Sequence, residues 1–183
     1  RSRAYLAWCA VWLGMCLDLA APGCPICCFS DWRQLPTTTD ALQVGGWVWR
    51  GILPWVKPNP RPAPGRFLGG AEFVVWGSAG PMRDTGPCLP GHFNMNPDRD
   101  REHVTQKPVV LMQGLCEVAE VGGIVLDPFM GSGTTGVAAI ETGRRFLGCE
   151  RVPAYAAIAK ERLEAAAAAA AAKRPSAQRR KTA

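Results

Sequence analysis

The chain has 183 residues, of which 48% are hydrophobic and 20% are charged, values that exclude a disordered or fibrous protein and favour one globular domain. Its formal net charge is +6. Five of the bases lie in residues 173–183, which contain no acid, so the sequence predicts a nearly neutral body with a disordered basic tail. Eight cysteines are too few for a disulfide scaffold of this length, and we expect reduced thiols.

The N-terminal segment is apolar but too short to cross a membrane. Residues 4–17 contain no charge, and Asp18 ends the run before the roughly 20 apolar residues that a membrane-spanning helix requires. A secreted protein is the weaker alternative, and we expect a cytoplasmic protein without a membrane segment. A buried helix is predicted instead by large apolar side chains at helical spacing: Trp8, Trp12, Met15 and Leu19.

The first half of the chain continues with short elements. Turn residues and apolar runs predict a helix over 38–44 and strands over 25–32, 47–56 and 71–77. Residues 57–66 have proline at every second position from 58 to 64, which predicts an extended, exposed loop. A longer irregular stretch covers residues 79–102.

The region around the proline-rich loop is basic and aromatic. Residues 41–71 contain no acid. One interpretation is a loop that contacts nucleic-acid phosphates, and the other is a solvated loop beside core tryptophans. The candidate phosphate contacts are Arg50, Lys57, Arg61 and Arg66.

The final third of the sequence is more regular. Strands are predicted over 124–126 and 145–149, and helices over 108–120, 133–142 and 153–172. This alternation of strand and helix predicts a parallel α/β sheet.

The segment VLDPFMGSGTTG, residues 125–136, reads as a strand, a glycine-rich turn and the start of a helix. Gly131, Gly133 and Gly136 allow the backbone to turn tightly beneath a ligand. Glu150, at the end of the next predicted strand, can accept both hydroxyls of a ribose. The pattern predicts a site for an adenosine-containing cofactor.

Two cofactors compete for such a site. A nicotinamide dinucleotide brings a pyrophosphate that Asp127 repels, whereas S-adenosylmethionine brings a sulfonium and an ammonium that a carboxylate attracts. The loop also comes late, because only 47 residues follow Gly136, whereas a dinucleotide fold needs roughly three more strands there. We therefore expect S-adenosylmethionine and a permuted sheet, with an NAD(P)-dependent oxidoreductase as the alternative.

Three motifs in this order resemble the DNA methyltransferases that modify the exocyclic amino group of adenine or cytosine. They are HVTQKP at 103–108, DPFMGSGTTGVAA at 127–139 and GCE at 148–150. The resemblance implies a Rossmann-like α/β fold, mostly parallel with one antiparallel strand, and double-stranded DNA as the partner. It also implies these cofactor-binding residues: Thr105, Lys107, Asp127, Phe129, Gly131, Ser132, Gly133 and Glu150.

The chain departs from that family at its catalytic motif, which is Asp, Asn or Ser followed by Pro-Pro and an aromatic residue. The sequence contains no Pro-Pro. We therefore expect a C-terminal portion whose catalytic motif lies upstream of Arg1, inactive by itself. The expected organisation is a methyltransferase domain over 1–172, with a DNA-recognition insertion around 79–102 and a tail over 173–183.

The function expected from the resemblance is site-specific DNA methylation, with a restriction endonuclease as a further partner in the cell. A non-catalytic DNA-binding subunit is the second alternative. No metal site is expected, because Cys24 and Cys27 lie at a strand start where their side chains face opposite ways.

Overall fold

The computed structural model describes residues 2–82, 86–98 and 106–173 of the chain. The chain divides into two compact units, Arg1–Asn96 and Pro97–Ala183. The first contains α1 (Ser2–Leu19), β1 (Pro25–Ser30), α2 (Leu35–Val44), β2 (Val48–Val56), β3 (Ala71–Ser78) and β4 (Phe93–Asn94). The second contains α3 (Val109–Cys116), β5 (Ile124–Asp127), α4 (Thr134–Glu141), β6 (Arg145–Gly148) and α5 (Pro153–Lys173).

The first unit is built on a four-stranded sheet in the order β1-β3-β2-β4. Strand β3 runs antiparallel to both of its neighbours, and β4 runs parallel to β2. The carboxyl ends of β1 and β2 therefore meet at one edge of the sheet. Val56 pairs with Ala71 at this edge, so residues 57–70 form the loop of the β2–β3 hairpin.

The core of the first unit lies between the two helices and the sheet. Buried Cys9 and Leu13 of α1 pack with Leu42 of α2 and Val75 of β3. The indole Nε1 of Trp47 donates a hydrogen bond of 2.9 Å to the carbonyl of Leu13, which fixes α1 against the start of β2. An aromatic side chain thus contributes both apolar area and a satisfied buried donor.

The predicted buried face of α1 is mostly wrong: of its four residues only Trp12 packs against the core. Trp8, Met15 and Leu19 are 54%, 63% and 75% exposed, whereas the face with Cys9 and Leu13 is buried. The helix is apolar on nearly every side, so spacing alone does not identify the face that packs on the sheet.

The second unit is a parallel β5–β6 pair connected through α4. Helices α3 and α5 both pack against α4. Its helices and strands are those the sequence predicts, except that α3 ends at Cys116 and not at residue 120. Of the predicted disordered tail, residues 173–183, the part after Lys173 lies outside the described residues.

The predicted α/β fold with an antiparallel strand is confirmed. The six strands of the described residues lie in two sheets of four and two strands. Strand β1 ends at Ser30, so Trp32 lies outside it and is 63% exposed, which corrects the predicted strand end. None of the helices in the described segments has the length and hydropathy needed to span a bilayer.

Candidate functional site

The loop between β5 and α4 is shaped by the carboxylate that precedes it. One oxygen of Asp127, Oδ1, accepts a hydrogen bond from the backbone N–H of Phe129 at 3.0 Å. The other, Oδ2, accepts one from the hydroxyl of Thr135 at 2.6 Å. Asp127 therefore ties the start of the loop to the first turn of α4.

A second carboxylate joins the loop to the neighbouring strand. Glu150 Oε2 accepts from the backbone N–H of Gly131 at 3.0 Å, and Oε1 accepts from that of Val152 at 2.8 Å. Backbone bonds from Met130 to Cys149 and from Cys149 to Asp127 continue the connection. Both carboxylates thus lie at the carboxyl edge of the β5–β6 pair, where ligands bind in α/β sheets.

The glycines of this segment have two different roles. A Cβ on Gly133 would lie 3.0 Å from the Cβ of Ala159, and one on Gly136 would lie 2.4 Å from Leu163 Cδ2. These two glycines let α5 approach α4 closely. Gly131 has φ +53° and open space where its Cβ would be, so it leaves room for a ligand above the loop.

An arginine that the sequence analysis missed holds the loop from behind. Arg162 Nη1 of α5 donates to the carbonyl of Ser132 at 2.6 Å and to its hydroxyl at 3.0 Å. It also lies 3.2 Å from the hydroxyl oxygen of Thr134. The available signal was the position of Arg162 three residues after Ala159, on the helix face that packs against the glycines.

The other predicted cofactor residues are distributed around this loop or precede it. The side chain of Phe129 is 53% exposed, whereas Ser132 is buried and bonded to Arg162. Lys107 is half-buried and comes just before α3 in the same unit. Thr105 lies outside the described residues. The assignment of these residues to a cofactor stays a prediction.

The four predicted phosphate contacts all lie in the first unit and fall into two pairs. Arg50 donates to Ser78 Oγ at 3.0 Å and to the carbonyl of Gly80 at 3.2 Å. Lys57 forms an ion pair with Glu72. Arg61 and Arg66, in contrast, are exposed in the β2–β3 loop.

A buried thiol lies within electrostatic range of the site. Burial raises the pKa of Cys116 to about 11; the negative charge of Asp127 adds to this shift and the guanidinium of Arg144 opposes it. A thiol with this raised pKa is protonated near neutral pH, and Cys116 is buried, as expected of a packing residue.

The arrangement suits a ligand that carries hydroxyls and positive charge. Each oxygen of Asp127 and Glu150 accepts one bond from the protein, which leaves lone pairs for donors of a ligand. Next to these acceptors in the sequence are Gly131, with open space over its Cα, and Phe129, with an exposed ring. A ribose and a cationic group would both find partners here.

Comparison with known proteins identifies relatives of both units. A family model of N6/N4 methyltransferases, described as DNA methylase, matches residues 85–161. The crystal structure of the M1.HpyAVI–SAM complex matches with a TM-score of 0.73 and 30% identity, covering 84% of this chain and 81% of that one. The cytosine-N4-specific PvuII DNA methyltransferase matches in fold, with a TM-score of 0.75 at 16% identity, over 88% of this chain and 71% of its own.

A curated relative matches over a shorter segment. The type II methyltransferase M2.DpnII of Streptococcus pneumoniae is 48% identical over 65 residues, which are 35% of this chain. The match spans only about a quarter of that relative, 24% of its length.

Proposed function

The chain belongs to the N6/N4 family of DNA methylases, and on this premise we propose that its second unit binds S-adenosylmethionine for methyl transfer to DNA. The acceptor would be the exocyclic amino group of adenine or cytosine. The observation that carries the proposal is the pair of carboxylates, Asp127 and Glu150, which accept hydrogen bonds from the start and the middle of one glycine loop.

The two carboxylates, which act as hydrogen-bond acceptors, fit this cofactor better than they fit a dinucleotide. Backbone N–H groups donate to both oxygens of Glu150 and so fix the orientation of its carboxylate. The remaining lone pairs of the carboxylate can accept hydrogen bonds from the ribose hydroxyls. Asp127 places negative charge at the loop, which favours a sulfonium and an ammonium and disfavours a pyrophosphate. The exposed ring of Phe129 offers apolar surface to the same ligand.

The bound cofactor would supply an activated methyl group. The residues of this chain hold and orient it: Glu150 at the ribose, Asp127 at the cationic end, and the backbone of Gly131–Gly133 beneath it. Orientation of the reacting groups is a major part of catalysis when no strong base is needed. Lys107 would approach from the segment that precedes α3, as the resemblance implies.

DNA is the proposed substrate, and the exposed cations Arg61 and Arg66 are its proposed phosphate contacts. Arg50 and Lys57 would contribute charge while Arg50 is bonded at the carboxyl end of β3 and Lys57 is paired at its start. The proposal includes a methyltransferase domain over residues 1–172, with recognition residues around 79–102. It also includes a cognate restriction endonuclease as a further partner.

The test is calorimetric titration of the 183-residue chain with S-adenosylhomocysteine and, separately, with NAD⁺. We expect the first to bind and the second not to bind. Glu150→Ala should weaken S-adenosylhomocysteine binding by about tenfold or more, since it removes charge-assisted bonds of about 1.5–3 kcal/mol. Glu161→Ala, on the exposed side of α5, is the matched control and should bind like the wild type.

Circular dichroism of each variant separates loss of binding from loss of folding. Tight binding of NAD⁺, or S-adenosylhomocysteine binding that is the same in the folded Glu150→Ala variant, would contradict the proposal. A chain that binds DNA but neither cofactor would instead be a non-catalytic DNA-binding subunit.

A further inference from the structure

The tip of the β2–β3 loop exposes a large aromatic side chain. Phe67 is 103% exposed, more than any other large hydrophobic side chain of the described residues, and Leu68 beside it is 54% exposed. A buried phenylalanine stabilises a fold by roughly 1.5–3 kcal/mol, and Phe67 contributes nothing of this kind. Its position suits contact with another molecule.

The loop that carries Phe67 is closed and stiffened at its base. The backbone N–H of Lys57 donates to the carbonyl of Gly70 at 2.6 Å, across the neck of the loop. The Lys57 side chain stacks on the ring of Trp55 at 4.6 Å and pairs with Glu72. Four prolines at alternate positions, 58 to 64, restrict the backbone between these anchors. Presenting the tip to a partner therefore costs little conformational entropy.

The charged residues of the loop itself are all basic, and the acid at its neck, Glu72, is paired with Lys57. Arg66 precedes Phe67 directly, and Arg61 lies six residues before Phe67; both are exposed. No acid occurs in residues 41–71. A polyanion complements this surface, whereas a protein partner would need matching acidic groups and an apolar pocket.

Beside the tip, at the carboxyl edge of β1 and β2, lies an open apolar groove of about 390 Å³. Trp32, Val56, Leu68 and Phe73 line it, so Leu68 belongs both to the groove and to the exposed tip. Apolar surface flanked by cations is the combination that proteins use to unstack bases while they hold the neighbouring phosphates.

We propose that Phe67 is a wedge that inserts into the base stack of DNA, with Arg61 and Arg66 on the flanking phosphates. This inference rests on the proposed function only for the identity of the partner. Without Phe67, the loop would be expected to contact only the DNA phosphates. The inference assigns to it one residue that also contacts the bases.

The test compares binding of the 183-residue chain to a mixed-sequence DNA duplex and to the same duplex with one abasic site, by fluorescence anisotropy. An abasic site already contains the gap that a wedge fills. The wild type should therefore bind the abasic duplex more tightly, by about tenfold or more, because the wedge there avoids the unstacking cost of a few kcal/mol that an intact base step imposes. Phe67→Ala should bind both duplexes equally, and Phe67→Trp should keep the preference.

Salt dependence separates the wedge from the phosphate contacts. Arg66→Gln should lower the slope of log affinity against log salt by about 0.9 and keep the abasic preference. Phe67→Ala should keep the slope and lose the preference. Val121→Ala, at an exposed apolar position of the second unit, is the control and should change neither.

Three results overturn the wedge. Equal binding of both duplexes by the wild type, or an abasic preference that Phe67→Ala retains, refutes it while DNA binding stands. Absence of DNA binding at low salt refutes the wedge and the DNA contact together. S-adenosylhomocysteine binding is measured separately, so failure of the cofactor proposal gives a different result from failure of the wedge.

Discussion

Replacing Arg162 by alanine would remove the contacts that hold the candidate cofactor loop from α5. One nitrogen donates to two oxygens of Ser132 at 2.6 and 3.0 Å and lies 3.2 Å from the hydroxyl of Thr134. Ser132 and Thr134 are each 7% exposed, so water replaces the guanidinium poorly. Because the three contacts share one nitrogen, we count them together as about one charge-assisted interaction, which is about 1.5–3 kcal/mol.

We therefore expect Arg162→Ala to lower the free energy of unfolding by about 2 kcal/mol, measured by urea denaturation. The loop carries the backbone that Asp127 and Glu150 orient, so S-adenosylhomocysteine affinity should fall as well. Lys160→Ala is the matched control on the same helix. Its exposed ion pair with Glu164 spans 3.9 Å, and such surface pairs contribute about 0–1 kcal/mol.

The reasoning is refuted if Arg162→Ala unfolds like Lys160→Ala and binds S-adenosylhomocysteine like the wild type. A stability loss with unchanged affinity would make Arg162 a packing residue of the second unit and not a positioning residue of the loop. Arg162→Lys should recover part of the affinity, because one ammonium can still reach the carbonyl of Ser132.

Three further predictions concern the same unit, one on Gly133 and two on Cys116. Gly133→Ala should lower the free energy of unfolding by about 1–3 kcal/mol, because φ is +81° and the new Cβ would lie 3.0 Å from that of Ala159; Gly65→Ala, with φ +71° and open space, should lose less in the same urea titration. Cys116, with its pKa raised to about 11 from 9.0, should have about a hundredfold less thiolate at pH 8 than an ordinary thiol and react with iodoacetamide far more slowly than exposed Cys149, by mass spectrometry. Because the unfolded chain releases this proton first, the stability that Cys116 contributes is present below pH 9 and is lost as pH rises towards 11; equal labelling of the two thiols would contradict both expectations.

The second unit was more predictable from sequence than the first. Its strands are short apolar runs separated by glycine turns, and the acids that end them occupy fixed positions after the strands. Asp127 and Glu150 could therefore be assigned to one edge of the sheet before any coordinates, because parallel strands place their carboxyl ends together. The roles of Gly133 and Gly136 could not be predicted from the sequence, since they depend on how closely α5 packs against α4.

The first unit shows where pattern reading fails. Helix α1 is apolar around most of its circumference, so the periodicity that normally identifies a buried face is weak. The choice between Trp8 and Cys9 is made by packing against α2 and β3, contacts that join residues more than thirty positions apart. The strand predicted over residues 25–32 includes Trp32, but the turn that begins at Asp31 ends the strand before it.

The basic residues of the β2–β3 region do not form one uniform DNA-binding set. Sequence alone treats Arg50, Lys57, Arg61 and Arg66 alike, as cations in an acid-free stretch. The structure engages Arg50 with Ser78 at the carboxyl end of β3, away from the loop, and Lys57 with Glu72 at the neck of the loop. Of these two cations, only Lys57 stiffens the surface that Arg61 and Arg66 share with Phe67. One cation thus supports the loop, one holds the far end of the hairpin, and two are exposed where the proposed phosphate contacts would form. Because the loop is already ordered in the folded protein, binding loses little conformational entropy. A few contacts from this loop can therefore contribute most of the affinity.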